Sequence, residues 1–169
     1  MADSGEVLRA RARRLARPVE ETTGGGGASA IVATIGSQQY AFALTDVRRA
    51  AVLGALTPLP HLPPIVLGLG ISDGDVVAVF DARVWTGSPR RPPSNKLAVL
   101  LLGSTIAPLA LAVDAFAGTI TLEPVIRPAA ASTTSWLRGV TADGVLVVDV
   151  PALLQDPLFS FDTQLEGPR

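Results

Sequence analysis

The sequence contains no cysteine, and it has few of the side chains that usually carry catalysis or bind metals. Its 169 residues include one histidine, one tyrosine and one methionine. The absence of cysteine excludes disulfides and thiolate metal sites. His61 alone cannot form a His-based metal cluster, and it is the only candidate base for a Ser-His-Asp triad. Because His61 lies in a proline-rich loop with no nucleophile-elbow motif nearby, we expect no enzymatic activity, cofactor or metal.

Charge and aromatic residues are also scarce, which limits the classes of partner. Charged residues make up 17% of the chain, aromatic residues 5%, and the formal net charge is −1. Nucleic-acid binding usually shows a basic stripe interleaved with aromatic residues, and this sequence has none. We therefore expect no nucleic-acid partner, although an OB-type nucleic-acid-binding barrel is the nearest structural alternative. Since 48% of residues are apolar, part of the apolar excess is available for contact patches on the surface.

One apolar stretch requires a test against membrane insertion. Leu97 to Val113 is a run of 17 residues without charge. A transmembrane helix needs about 20 predominantly apolar residues, and Gly103-Ser104-Thr105 and Pro108 interrupt this run. Two strands joined by a turn fit better. The N-terminal sequence also lacks the pattern of a secretory signal, so we expect a cytoplasmic protein with no membrane insertion.

Three Val/Leu-rich segments each end in an aspartate. These aspartates are Asp81, Asp114 and Asp149, and their spacings are 33 and 35 residues. Short apolar runs that follow glycine or proline are typical of buried strands. We expect the aspartates to cap turns at strand ends rather than to bind a metal. Asp149 is also expected to cap a short helix over Pro151–Gln155.

The whole pattern predicts an all-β protein with about ten strands and one or two short helices. A single sheet of that size would expose too much edge, so two small barrels around one continuous apolar core are expected. Trp136 is predicted to lie in the core, and Trp85 either in the core or at an exposed contact. The predicted strand segments are residues 31–35, 40–44, 47–53, 65–71, 76–81, a hairpin over 97–116, 119–126, 136–141 and 145–150.

The composition divides the chain into three parts. Residues 1–29 form an Arg-rich tail with a glycine linker, residues 30–155 a folded domain, and residues 156–169 a C-terminal tail. Two interpretations of the first part stay open. It is either a disordered tail or a segment that folds on a partner or an acidic surface.

The segment from Ile31 to Trp85 resembles the CheW-like domain, the adaptor of bacterial chemosensory arrays. The resemblance continues over nearly all of residues 30 to 155. It rests on the order and spacing of short features: Gly36, Tyr40, Val47, the proline-rich loop, Gly68, the run Gly74-x-Val76-Val77-x-Val79-x-Asp81-x-Arg83, Leu97–Leu102, Val113-Asp114, Arg127-Pro128, and Trp136-Leu137-x-Gly139-Val140 followed by Asp143-Gly144.

The resemblance implies a fold of two five-stranded SH3-like β-barrels and no enzymatic activity. It also implies two partners, the cytoplasmic tip of a chemoreceptor and the regulatory domain of a CheA-type histidine kinase. The expected function is therefore an adaptor that couples receptors to the kinase. The alternative is an accessory protein that binds receptors but has lost kinase binding. The implied receptor- and kinase-binding residues are Val47, Arg49, Gly68, Ile71, Asp73, Gly74 and Thr119.

Two of these positions depart from the family pattern. Family members usually have Asn-Leu-Arg-Gly where this chain has Ile71-Ser72-Asp73-Gly74, and a glutamate where it has Arg49. In the family, the acid and the base lie close together at the receptor-binding surface. An exchange here would keep the pair and reverse its outward field; the alternative is two unrelated surface substitutions in a diverged sequence. The close approach of a partner is expected to require glycine at position 68.

Overall fold

The strands of the chain form two five-stranded sheets in the computed structural model, which describes residues 27–92, 94–103, 109–122 and 135–159. Sheet A, in the order β8-β1-β2-β10-β9, consists of β1 (Ser29–Ile35), β2 (Gln38–Ala43), β8 (Ala115–Thr121), β9 (Leu137–Val140) and β10 (Leu146–Val148). Sheet B, in the order β3-β6-β7-β5-β4, consists of β3 (Val47–Leu53), β4 (Val66–Ser72), β5 (Asp75–Asp81), β6 (Leu97–Leu102) and β7 (Leu109–Val113). The all-β class and the two β subdomains are confirmed.

Sheet B is nested within sheet A along the chain. Its five strands are consecutive, whereas sheet A combines the first two strands with the last three. Most neighbouring strands are antiparallel, but β10 pairs with β2, and β7 with β5, in parallel. The parallel β2–β10 pair brings the end of the domain against its beginning.

Two hairpin turns are tighter than the sequence pattern predicts. The predicted turns cover residues 36–39 and 72–75, but Gln38 pairs with Ile35 and Asp75 with Ser72. Only two residues remain in each turn. In the second turn, Asp73 and Gly74 have φ values of 54° and 90°. Positive φ at both positions is the geometry of a type I′ turn, whose twist matches that of the flanking strands.

Each of the two described helices begins directly after an aspartate at the end of a strand; the cap at Asp149 is predicted, whereas the helix after Asp81 is not. Asp81 caps α1 (Ala82–Trp85) and accepts a hydrogen bond from the Arg83 amide at 3.0 Å. Asp149 caps α2 (Val150–Leu154) and accepts one from the Ala152 amide at 2.9 Å. Asp114 has a different role, because it accepts a hydrogen bond from the amide of Gly36 in another hairpin.

The prediction of one continuous apolar core is wrong, because the buried residues within the described ranges form three clusters. The largest joins the two sheets and includes Phe42, Phe80, Leu100, Leu111 and Trp85. A second lies within sheet B and a third within sheet A. Each sheet curls enough to enclose its own small interior, and the shared cluster fills the seam between the sheets.

Several other boundaries differ from the predictions. The Leu97–Phe116 segment does contain the β6–β7 hairpin, but Phe116 belongs to β8 and pairs with Ala33 in sheet A. Trp85 is buried and packs against Trp136 with the rings tilted and their centroids 4.2 Å apart, so its core interpretation is confirmed. The first residues of the predicted C-terminal tail are packed against the domain, since Phe159 belongs to the shared cluster.

The remaining predictions fall wholly or partly outside the described residues. These are the N-terminal tail up to residue 26, the strand end over 123–126 and the loop over 128–134. Within the described part of the chain, neither helix has the length and hydropathy that crossing a membrane would require.

Candidate functional site

An exposed ion pair connects the two edge strands of sheet B. The guanidinium of Arg49 on β3 contacts the carboxylate of Asp73 in the β4–β5 turn. Both side chains are about half exposed, at 50% and 58%. A register shift in β3 places Arg49 opposite Leu101, so Arg49 shares a face with the interior of sheet B. The guanidinium therefore covers one end of that interior while still reaching solvent.

The backbone closes the same gap further along the two edge strands. Thr57, in the loop after β3, exchanges two hydrogen bonds of 2.8 Å with Leu69 on β4. A cavity of about 230 Å³ opens beside the ion pair. Its lining carries both signs of charge above apolar residues and consists of Arg48, Arg49, Ser72, Asp73, Asp75, Val77 and Leu101.

A larger and more apolar groove lies next to this charged cavity, and we call it the α2 groove. It has a volume of about 390 Å³ and runs between the start of β3 and helix α2. Arg48 lines both the groove and the charged cavity, so the two form one continuous surface. The groove is lined by Thr45, Asp46, Val47, Arg48, Gly103, Val150, Pro151 and Leu154.

An apolar pair is exposed on the β4–β5 hairpin. Ile71 and Val76 face each other across the two strands, and their exposed fractions are 70% and 65%. Neighbouring side chains of this kind form a contact patch rather than isolated surface residues. One residue on each strand separates the pair from the turn that carries Asp73.

Comparison with known proteins identifies the family of the chain. The model of the CheW-like domain matches residues 29–158. The chain belongs to the CheW-like domain family. Among solved structures, the scaffolding protein TtCheW from Thermoanaerobacter tengcongensis has a TM-score of 0.63 and 19% sequence identity, over 72% of this chain and 88% of that one. That likeness shows the fold. A search of curated protein sequences finds no significant match.

The family match confirms the resemblance drawn from the sequence. In general terms, it supports a scaffold or adaptor role in chemotaxis-type signalling. The domain shares its two-sheet fold with TtCheW, so the alternative of an OB-type barrel is wrong.

The CheW-like domain brings five of the seven implied binding residues to one end of sheet B. Val47 lines the α2 groove, Arg49 and Asp73 form the ion pair, and Ile71 and Gly74 lie within two residues of Asp73. This common location was an implication of the resemblance, and the backbone register provides a physical basis for it.

The other two implied residues lie elsewhere. Thr119 is exposed on β8 in sheet A, where it pairs with Ile31. Gly68 is buried, and a Cβ added to it would lie 2.4 Å from the carbonyl oxygen of Thr57. The close approach that requires glycine at this position is therefore made by the chain's own loop. The expectation that a binding partner requires glycine at position 68 is therefore corrected: the loop at Thr57 requires it.

Sequence reasoning missed the helical wall of the α2 groove. The Asp149-Val150-Pro151 pattern did predict the helix, but no local signal placed Val150 and Leu154 opposite Val47. The parallel pairing of β10 with β2 creates that contact, because it returns the chain to the loop before β3. Exposure of Val76 was missed because its run of valines resembles a fully buried strand.

Proposed function

We propose that this CheW-like domain is a non-enzymatic adaptor that couples chemoreceptors to a CheA-type histidine kinase in a bacterial signalling array. The observation that carries the proposal is the α2 groove beside the Arg49–Asp73 pair, because the resemblance implies Val47, Arg49 and Asp73 as receptor-binding residues. The adaptor acts in the cytoplasm, where receptor tips and kinase meet.

The α2 groove is the proposed site for the receptor tip. Its apolar residues, Val47, Val150 and Leu154, are flanked by Asp46 and Arg48. An apolar groove with charges at its rim suits the apolar face of an amphipathic helix. The groove supplies binding area, and the neighbouring ion pair restricts which receptor can dock, since misplaced like charges repel.

The Ile71–Val76 pair is the proposed contact for the kinase regulatory domain. It faces away from the charged cavity, and its exposure costs free energy unless a partner covers it. The alternative is a receptor-only adaptor, and the departure at Ile71-Ser72-Asp73-Gly74 motivates it. The exposed apolar pair favours coupling over that alternative, because a receptor-only protein has no use for a second contact patch.

Two titrations with the full chain test the proposal. The purified receptor tip and the purified kinase regulatory domain are each titrated by calorimetry, and we expect micromolar binding of both. Val47→Glu should weaken only receptor binding. Val76→Ser should weaken only kinase binding, by about 1–2 kcal/mol for an apolar contact in an interface centre.

A matched control is available on β3. Val52 is 62% exposed, nearly as much as Val76, so Val52→Ser should leave both affinities unchanged. Receptor binding without any kinase binding would establish the receptor-only alternative. Binding of neither partner would reject the adaptor proposal.

A further inference from the structure

A cluster of charged side chains joins the two sheets at Asp114. Its carboxylate accepts hydrogen bonds from the Gly36 amide at 2.7 Å and from Arg83 Nε at 2.9 Å, and it forms an ion pair with Arg91 Nη2 at 3.1 Å. Gly36 belongs to the β1–β2 turn of sheet A, whereas Arg83 belongs to α1, which directly follows β5 of sheet B. Asp114 itself lies where the chain passes from β7 to β8, that is, from sheet B to sheet A.

Arg91 extends the cluster into the connection that precedes β6. Its guanidinium donates to the carbonyl of Val113 at 2.7 Å and to that of Ala112 at 3.1 Å. Arg83 in turn donates to the carbonyl of Pro89 at 3.1 Å. The Arg91 side chain is only 11% exposed. These directional, charge-assisted hydrogen bonds hold α1, the connection and both sheets in one arrangement.

The Asp114 cluster and the α2 groove lie at opposite ends of the seam between the sheets. In sheet A, β2 runs from the Gly36 turn to the loop that carries Asp46. In sheet B, β6 pairs with Val113 near its start and ends next to Gly103, which lines the groove. Six residues of strand separate the two ends, or roughly 17 Å at 3.3–3.4 Å per residue.

The apolar cluster between these ends does not by itself fix the angle between the sheets. Hydrophobic burial is non-directional, so the apolar contacts select one angle between the sheets less sharply than directional bonds do. Hydrogen bonds to a carboxylate select it sharply, because their strength falls steeply with angle. A rotation of 5° about the Asp114 cluster would move the groove end by about 1.5 Å over the ~17 Å strand length.

We propose that Asp114, Arg83 and Arg91 are positioning residues that fix the angle between sheets A and B and thereby set the width of the α2 groove. The part of this inference that concerns receptor binding rests on the proposed function. The part that concerns the angle does not.

The absence of cysteine allows a direct measurement of the angle. Val52→Cys on β3 and Arg138→Cys on β9 place one exposed spin label on each sheet, and pulsed electron–electron double resonance gives their distance distribution. Asp114→Asn keeps the shape of the side chain but removes its charge. We expect the mean distance between the labels to shift by about 2 Å or more, or its distribution to broaden clearly. We also expect an about 5- to 10-fold weaker receptor affinity, since both changes follow from a looser contact between the two sheets.

Asp143→Asn is the matched control, because Asp143 is an exposed aspartate in the β9–β10 turn, and it should change neither quantity. If Asp114→Asn does not fold, Arg83→Gln leaves the Arg91 and Gly36 bonds in place and should show the same changes at smaller size. An unchanged distance distribution in the folded variant overturns the inference. A changed distribution with unchanged receptor affinity overturns its groove part. If the unchanged protein does not bind the receptor tip but Asp114→Asn still changes the distance distribution, the proposed function is refuted. The inference that the Asp114 cluster fixes the angle between the sheets then still holds.

Discussion

At the scale of single residues, the candidate surface depends on two opposite charges, Arg49 and Asp73. Both are half exposed, so their contact contributes only about 0–1 kcal/mol to stability. Their separation of 24 positions in sequence gives no local signal that they meet. The contact brings the two substituted positions together, which favours an exchange of acid and base over two unrelated surface substitutions. The main effect of the ion pair is therefore expected on which partner binds, not on stability.

A double-mutant cycle tests this pair. Arg49→Glu puts an acid beside Asp73 and should weaken receptor binding by roughly 1–2 kcal/mol, the range for coupled charges at an interface. Adding Asp73→Arg restores a pair of opposite signs and should recover part of the loss. Calorimetric titration of the receptor tip gives the coupling energy. If the two effects simply add, the residues do not act together in binding.

Gly68 gives a second prediction at the residue scale. Its φ of +140° is unfavourable for any other residue, and a Cβ would lie 2.4 Å from the Thr57 oxygen. Gly68→Ala should therefore reduce the free energy of unfolding by about 2 kcal/mol or more. Urea denaturation measures the loss.

Gly144→Ala provides the comparison, because Gly144 also has a positive φ, of +82°, but has no atom within 4 Å of an added Cβ. It carries the backbone cost alone. Equal losses in the two variants would show that the contact with Thr57 contributes nothing.

At the scale of elements, most strands and helix α2 followed from local patterns, but helix α1 and the pairing of the strands did not. Val47–Leu53 is predicted and observed with the same limits, and Asp149 caps α2 as expected. Both signals are local, namely an apolar run and a capping residue before proline. Which strands lie side by side depends on contacts between distant residues. The parallel β2–β10 pair therefore could not be predicted from periodicity.

The same limit applies to the candidate site. Val47, Arg49 and Asp73 came from the resemblance, and no pattern in the sequence placed α2 against them. Phe116 shows the reverse error. Its apolar character extended the predicted β6–β7 hairpin, although Asp114 ends that hairpin and the chain then enters the other sheet. Only the contacts of Asp114 show why the chain changes sheets there.

At the scale of the whole molecule, the Asp114 cluster predicts how stability depends on pH. Burial raises the pKa of Asp114, but hydrogen bonds from Arg83 and Gly36 and the charge of Arg91 outweigh it, so its pKa lies below the ordinary value. The folded state therefore favours the charged carboxylate. This stabilisation is present above the ordinary aspartate pKa of about 3.9 and is lost as the pH falls through the lower, folded value.

Urea denaturation between pH 7 and pH 2.5 measures this effect. In the unchanged chain, stability should fall below about pH 4 as Asp114 gains a proton. Asp114→Asn should be less stable at pH 7, by about 1–3 kcal/mol for a removed partner of buried donors, and its acid-side slope should be shallower. Asp143→Asn should keep the slope of the unchanged chain. The same acid-side slope in both variants would exclude Asp114 as its source.

The nesting of sheet B within sheet A has a consequence for synthesis on the ribosome. All strands of sheet B have emerged once residue 113 leaves the exit tunnel, whereas β1 and β2 wait for β8, β9 and β10. About 70 residues separate the end of β2 from the start of β8, which corresponds to roughly 4–14 s at 5–20 residues per second. During that interval the first hairpin has two unpaired edges, which are open to pairing with other nascent chains. Chaperone binding should therefore be strongest in stalled chains whose last residue outside the tunnel lies between 44 and 115. Strongest binding after residue 148 has emerged would contradict the proposed order of strand pairing.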